Sequence, residues 1–209
     1  KTPTPSVLFQ GKTDYLGGAG IVAKHLKMAG ARVKFTTVLG KDKLNKFVKK
    51  NLKQNKIVSN IIEDPIRPTT NKNTIVTGKY KMLKVDTLDN QPISEKIILK
   101  IIKLIKNDKS DAIIFSDFRH GIFNKISIPR FCSAVKKNIF KSADSQVATR
   151  WGNILDYKNF DLITPNEREA RFSLADQDSG IGDLTRSMSY KNKYKNLILK
   201  LGEKGIFAD

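Results

Sequence analysis

LGGAGIVAKHLKMAGARVKFTTVLGKD, Leu16 to Asp42, is the stretch whose reading decides the fold. Gly17 and Gly18 let the backbone bend sharply, and Ile21, Val22, Leu26 and Met28 follow at near-helical spacing. Gly30 ends that helix as a C-terminal cap residue should. Arg32 to Leu39 (RVKFTTVL) is short and β-branched, which makes it a strand. Asp42 then suits the N-cap of a second helix carrying Leu44, Phe47, Val48 and Leu52. A glycine turn, a helix, a strand and a helix in succession are the building unit of an α/β fold.

The same alternation extends outward, with one interruption. Val58 to Ile62 is a second short strand. Thr70 to Asp86 (TNKNTIVTGKYKMLKVD) instead places two short apolar runs around Gly78 among lysines, the pattern of an antiparallel hairpin with a wet face. Residues 64–90 therefore read as a β lid inserted into a single domain spanning 1–209. Ser94 and Glu95 open a helix with an apolar stripe of Ile97, Ile98, Ile101, Leu104 and Ile105. Asp111 to Asp117 (DAIIFSD) reads as a buried strand, Ile128 to Asn138 as a helix, and Phe160 to Thr164 (FDLIT) as another strand. A helix from about Glu167 and a last strand, Asn196 to Leu201, complete the series. The expected fold is α/β: a mainly parallel sheet with helices on both faces, plus the hairpin lid.

Composition narrows the function classes. A hydrophobic fraction of 39% with 8% aromatics suits a packed core, and the lone Cys132 cannot form an internal disulfide. The apolar run Ile97 to Ile105 is broken by Lys100 and Lys103 and is too short to span a bilayer. These features point to a soluble, cytoplasmic protein without a membrane partner. Lys+Arg 39 against Asp+Glu 20 gives a formal net charge of +19, which raises nucleic-acid binding as a reading. The lysines are spread along the whole chain, lysine greatly outnumbers arginine, and no aromatic RNA-binding box or zinc spacing is present. A lysine-biased chain with an anionic small-molecule substrate explains the charge better.

In open α/β sheets ligands bind beyond the carboxyl ends of the strands. The polar residues there are Gly40 and Asp42, Ser116 and Asp117, Thr164, Asn166 and Glu169, and Gly202 and Gly205. Any one of them could be a turn or cap; their recurrence at one edge argues for a site. The Tyr15 to Gly20 run (YLGGAG) is neither a P-loop nor a dinucleotide fingerprint. It does offer a close backbone approach and a helix N-terminus to an oxygen-rich ligand.

Taken in order, these segments resemble the ribokinase/PfkB carbohydrate kinase family, in particular its heptose-phosphate kinase branch. Leu16 to Asp42 resembles the first family signature, and Arg67 to Asp86 its β lid. Ser116 to Gly121 (SDFRHG), Thr164 to Glu169 (TPNERE) and Leu201 to Gly205 (LGEKG) match later motifs in the same order. The resemblance implies transfer of the ATP γ-phosphoryl group to a sugar or sugar phosphate, with a heptose 7-phosphate favoured, and Mg²⁺ as the metal. It places Gly17 and Gly18 under the sugar, Lys72 and Lys84 near a phosphate already on the acceptor, and Asp86 at a sugar hydroxyl. Asn166 and Glu169 would organise Mg²⁺ and its waters, while Asp144, Lys200, Gly202 and Gly205 would border the nucleotide. A homodimer through the lid and a fused nucleotidyltransferase domain also occur in this branch.

Three departures qualify the match. Ile21 stands where the first signature has an asparagine, which removes one sugar-facing polar group. Asp144, Ser145 and Gln146 stand where many members have Asp-Pro-Lys, so a basic group is lost. The glycine-rich second signature with its general-base aspartate does not occur before Asp209, and the family's first strand is expected before Lys1. The expectation is a kinase domain lacking the C-terminal part of the fold and inactive as a fragment. The alternatives are a non-catalytic binding protein of the same fold and, less well supported, a basic nucleic-acid-binding α/β protein.

Overall fold

The computed structural model describes residues 6–147 and 151–209. The chain forms two compact units that divide after Asp89.

In the first unit, α1 (Ala19–Met28), β1 (Lys34–Gly40), α2 (Lys43–Gln54) and β2 (Val58–Asp64) follow the expected order. β1 and β2 pair in parallel from Lys34 opposite Val58 to Gly40 opposite Asp64. Leu16, Ala23, Leu39, Val48, Leu52 and Ile57 form the core under them, and Leu52 is completely buried. α2 presents Val48 and Leu52 inward, one turn apart, while its lysines face outward.

A hydrogen-bonded clamp joins this α/β piece to the strap that follows it. The Asp42 carboxylate accepts the Asn45 amide as an N-cap (3.0 Å) and the Thr69 amide from the strap (2.7 Å). The Gly40 amide donates to Thr69 Oγ1 at 3.0 Å. A Cβ at Gly40 would lie 2.5 Å from the Arg67 carbonyl oxygen and 2.6 Å from the Thr69 nitrogen, so only glycine allows the strap this close. Asp64 and Arg67 add a buried ion pair at 3.0 Å. The strap feeds the antiparallel hairpin β3 (Asn71–Thr77) and β4 (Tyr80–Thr87), which turns at Gly78 with φ 55°. Every residue of β4 is exposed.

The second unit contains α3 (Glu95–Lys106), β5 (Ala112–Asp117), α4 (Ser127–Ala134), β6 (Phe140–Ser145), β7 (Leu162–Ile163), α5 (Glu167–Leu174), α6 (Ile181–Asn192), β8 (Asn196–Lys200) and β9 (Ile206–Ala208). Its sheet runs β5-β6-β7-β8-β9; the first four strands are parallel and β9 returns antiparallel to β8. Phe115, Tyr157 and Phe160 pack with ring centroids 5.6 to 6.1 Å apart, forming an aromatic core beneath β5 and β6.

The fold is the expected α/β arrangement with a mostly parallel sheet. Several boundaries differ from the sequence expectation. β6 reads as polar (FKSADS), because its buried positions are filled by the small Ser142, Ala143 and Ser145. β5 is half-buried rather than fully buried, as befits the edge strand of the five. α4 ends at Ala134 because Val135 turns to extended geometry, short of the expected Asn138. α6 carries few apolar residues, with Leu184 and Met188 as its buried ones, so periodicity does not reveal it. β9 follows the strand expected to be last. Among the described residues no helix is long and apolar enough to cross a membrane.

Candidate active site

In the first unit the glycine turn has the geometry its sequence requires. Gly18 sits at φ 53°, a conformation side chains disfavour, and caps α1. The Gly20 and Ile21 amides donate to the Gly17 and Gly18 carbonyls at 3.1 Å. A Cβ on Gly17 would meet nothing within 4 Å, so its surface is open to a ligand. The lid candidates lie together on the hairpin: Lys72 is opposite Asp86 in the register, and Lys84 Nζ lies 3.5 Å from Asp86 Oδ2.

The second unit gathers the remaining candidates at the carboxyl ends of β6, β7 and β8. Lys200, the last residue of β8, places Nζ 2.9 Å from Asp144 Oδ1 at the end of β6. Thr164 Oγ1 donates to the same carboxylate oxygen at 3.3 Å. Asn166 and Glu169 form a reciprocal capping box at the start of α5: the Asn166 amide donates to Glu169 Oε2, and the Glu169 amide to Asn166 Oδ1, both at 2.8 Å. Glu169 is nearly buried, and that burial pushes its carboxyl above the ordinary glutamate range. The nearby Asp144 pushes in the same direction, against the pull of the Asn166 and Val147 amides and of Lys200.

An open cleft of about 950 Å³ lies beside these groups, lined by Asn166, Arg168, Phe172, Lys200 and Gly202 among others. Gly202 and Gly205 adopt φ 63° and 87°, and a Cβ on either would meet nothing within 4 Å. The Leu201 amide donates to the Gly205 carbonyl, closing a tight turn whose backbone is bare on its outer side. A bare turn, a lysine at a strand end and a large cleft fit a nucleotide. Among the described residues no group of three or more His, Cys, Asp or Glu is placed to hold a metal ion.

One cluster is only partly legible in the sequence, which marks Asp117 at a strand end but not its partners Tyr157 and Asp156. Asp117, at the end of β5, is buried and accepts Tyr157 Oη (2.9 Å), Ser145 Oγ (3.0 Å) and the Arg119 amide (2.8 Å). Arg119 Nε lies 2.9 Å from Asp117 Oδ2 but off the line of a directed hydrogen bond, and Nη2 reaches Asp156 at 3.3 Å and Ser145 at 3.4 Å. Burial drives the Asp117 carboxyl up, against the pull of the Arg119 guanidinium and the other donors. A Cβ at Gly152 would lie 2.4 Å from Ser145 Oγ and 2.9 Å from Arg119 Nε, so a glycine backbone closes the cluster. The sequence signal for Arg119 was its place two residues past a strand end; Tyr157, Asp156 and Gly152 lie far off in the chain and gave none.

The sequence matches the pfkB family carbohydrate kinase description over residues 3–208. It is 28% identical over 214 residues to a bifunctional protein HldE of Bradyrhizobium diazoefficiens, covering 99% of this chain and 43% of that protein. It is 27% identical to an HldE of Aliarcobacter butzleri over 99% of this chain and 44% of that one. The chain thus spans less than half the length of these curated relatives. Among solved structures, a ribokinase from Giardia lamblia superposes with a TM-score of 0.78 at 16% identity, over 100% of this chain and 70% of that one. Phosphofructokinase-2 from Escherichia coli in complex with fructose-6-phosphate gives 0.73 at 16% identity, over 99% and 71%. These likenesses show the fold.

Proposed function

Because the chain belongs to the pfkB family of carbohydrate kinases, we propose that it provides the nucleotide and acceptor sites of an ATP-dependent sugar-phosphate kinase, with a heptose 7-phosphate as the favoured acceptor. The observation that carries this reading is an open cleft lined by Asn166, Lys200 and the Gly202 turn, with Glu169 holding Asn166 and Asp144 holding Lys200 behind its wall. The resemblance of Arg67 to Asp86 to the lid of the heptose-phosphate kinase branch supports the heptose acceptor.

Phosphoryl transfer is driven by positioning and by neutralising charge on the transferring group. Lys200 would exchange part of its contact with Asp144 for a nucleotide phosphate oxygen. Gly202 and Gly205 would border the adenosine without side chains in the way. Glu169 and Asn166 would hold Mg²⁺ through its waters, and the capping box fixes both side chains before the metal arrives. Bound Mg²⁺ would supply charge neutralisation for the phosphates. On the first unit, Gly17 and Gly18 would pass beneath the sugar, Asp86 would accept from one of its hydroxyls, and Lys72 and Lys84 would attract its phosphate. The hairpin would serve as the lid and as the contact between two copies of the chain. Dependence on ATP makes the cytoplasm the working compartment.

The test is ATP consumption by the intact protein with Mg²⁺ and a panel of sugars and sugar phosphates. The expected result is turnover with a heptose 7-phosphate ahead of hexose phosphates and free sugars. A panel that leaves ATP untouched overturns the kinase reading. Binding of ATP without turnover would favour a non-catalytic binding protein, to which the exposed Ile21 after the glycine turn also points.

A further inference from the structure

Beyond the nucleotide cleft, the second unit has another cavity of about 370 Å³, lined by Asn90, Pro92, Arg119, Phe123, Asn124 and Trp151. An aromatic contact separates the two: Trp151 faces this cavity, Phe172 faces the cleft, and their rings lie 5.4 Å apart. We propose that this cavity binds a phosphorylated sugar, with the Arg119 guanidinium seating the phosphate and the Trp151 ring lying against the sugar. This rests on the sugar-phosphate reading above and gives the second unit a site of its own for a ligand of that class.

Four observations carry it. First, Arg119 is held in place: its side chain is 11% exposed, Nε and Nη2 are engaged by Asp117, Asp156 and Ser145, and Nη1 takes no partner among the described residues. Neither carboxylate lines the cavity, so they hold the guanidinium from behind and leave an edge for a ligand. An arginine fixed this way loses little entropy on binding and presents the paired donors that phosphate prefers.

Second, Arg119 sits at φ 56°, which is unstrained for glycine and costs a side-chain-bearing residue of order 1 kcal/mol or more. Asp117 already has Tyr157, Ser145 and a backbone amide as donors, so its hydrogen bonding does not require the guanidinium. Third, Arg119 Nη2 lies beside Ser145 at the end of β6, one strand away in the sheet, which places a cation next to a strand end that has none of its own. Fourth, Trp151 is 73% exposed, with a ring free to take the apolar face of a pyranose. Lys72 and Lys84 differ from Arg119, since they stand on an exposed hairpin and can supply attraction but no fixed geometry.

Trp151 is the single tryptophan of the chain, so its emission reads this cavity directly and without turnover. The experiment titrates the chain with sedoheptulose 7-phosphate, sedoheptulose and inorganic phosphate at constant ionic strength, while calorimetry follows a non-hydrolysable ATP analogue with Mg²⁺ in parallel. The expected result is a saturable emission change with the sugar phosphate, competition by inorganic phosphate, and little response to the free sugar. Arg119→Gln should weaken the sugar phosphate about tenfold or more, and Arg119→Lys less, as expected for loss of a charge-assisted contact. ATP-analogue binding should be unchanged in both variants. Arg119→Lys keeps a cation against Asp117, so it preserves the test if Arg119→Gln fails to fold. The proposal is overturned if the free sugar responds like its phosphate, or if Arg119→Lys and the parent titrate alike. Absent ATP-analogue binding with an intact sugar-phosphate response would sink the kinase reading and leave this site standing. The reverse pattern would sink this site alone. Consumption of the bound sugar phosphate with ATP would identify it as the acceptor, and binding without consumption would make the cavity an effector site for the same chemistry; both support it.

Discussion

Glu169 is a capping residue that we also propose as a site residue. Its carboxylate holds the Asn166 amide, and its burial beside Asp144 raises its pKa. A metal requires the ionised form. Mg²⁺-dependent nucleotide binding should therefore weaken as pH falls through that raised value, starting above the range where an ordinary glutamate protonates. Glu169→Gln checks the assignment, because glutamine also completes a capping box. The melting temperature should move little while Mg²⁺ dependence is lost; a variant that keeps its Mg²⁺ response removes Glu169 from the metal's surroundings. Tyr157 makes the opposite case, a buried structural donor. Tyr157→Phe leaves Asp117 with one donor fewer and should cost about 1 kcal/mol in denaturant unfolding. The candidates Asn166 and Glu169 were legible because they follow a strand end and open a helix, whereas Lys200 entered only through the family resemblance. Asp117 was legible from its strand end, but its partner Tyr157 was not, because it reaches Asp117 from 40 positions away and only the folded sheet brings them together.

At the level of elements, the clamp between β1 and the strap assigns Asp42 a task. The residue first reads as a helix cap, and it is one, but its second oxygen holds the Thr69 amide that leads into the hairpin. Burial pushes the Asp42 carboxyl up, yet the Thr69 and Asn45 amides and the Thr69 hydroxyl outweigh that and hold it below the usual aspartate range. A carboxylate with a depressed pKa contributes stability above its unfolded value, and loses it as pH falls through the folded one. Acidification below about pH 4 should therefore release the strap. Asp42→Ala should cost about 1–2 kcal/mol through the lost cap. It should also speed amide exchange at Thr69 and along β3 more than in the second unit; uniform loss of protection would mean that Asp42 acts only as a cap. The elements themselves were read from two signals, apolar periodicity and turn residues. α1, α2, β1, β2, the hairpin and α3 carry both. β6 carries neither, because small polar residues fill its buried positions, and α6 shows little periodicity because few of its residues are apolar.

For the molecule as a whole, the formal charge of +19 and the hairpin pull association in opposite directions. Two copies of so basic a chain repel one another, and the repulsion is screened beyond about 10 Å at 0.1 M salt. The hairpin exposes Ile75, Val76, Tyr80, Met82, Leu83 and Val85, although a two-stranded hairpin is marginal by itself in water. Its outer strand edges also remain open to pairing. A second copy offering the same two strands would cover this apolar surface and satisfy those edges symmetrically. The chain should then sediment as a dimer at tens of micromolar. Because the apolar contact gains from salt while charge repulsion fades, the dimer should tighten between about 50 and 500 mM NaCl. A contact made mainly by ion pairs would weaken over the same range. Leu83→Lys should return the chain to monomer without changing the melting of the α/β pieces, since Leu83 contributes to neither core. A parent chain that stays monomeric at high salt would leave the hairpin as a lid alone, with its apolar face reserved for the bound sugar.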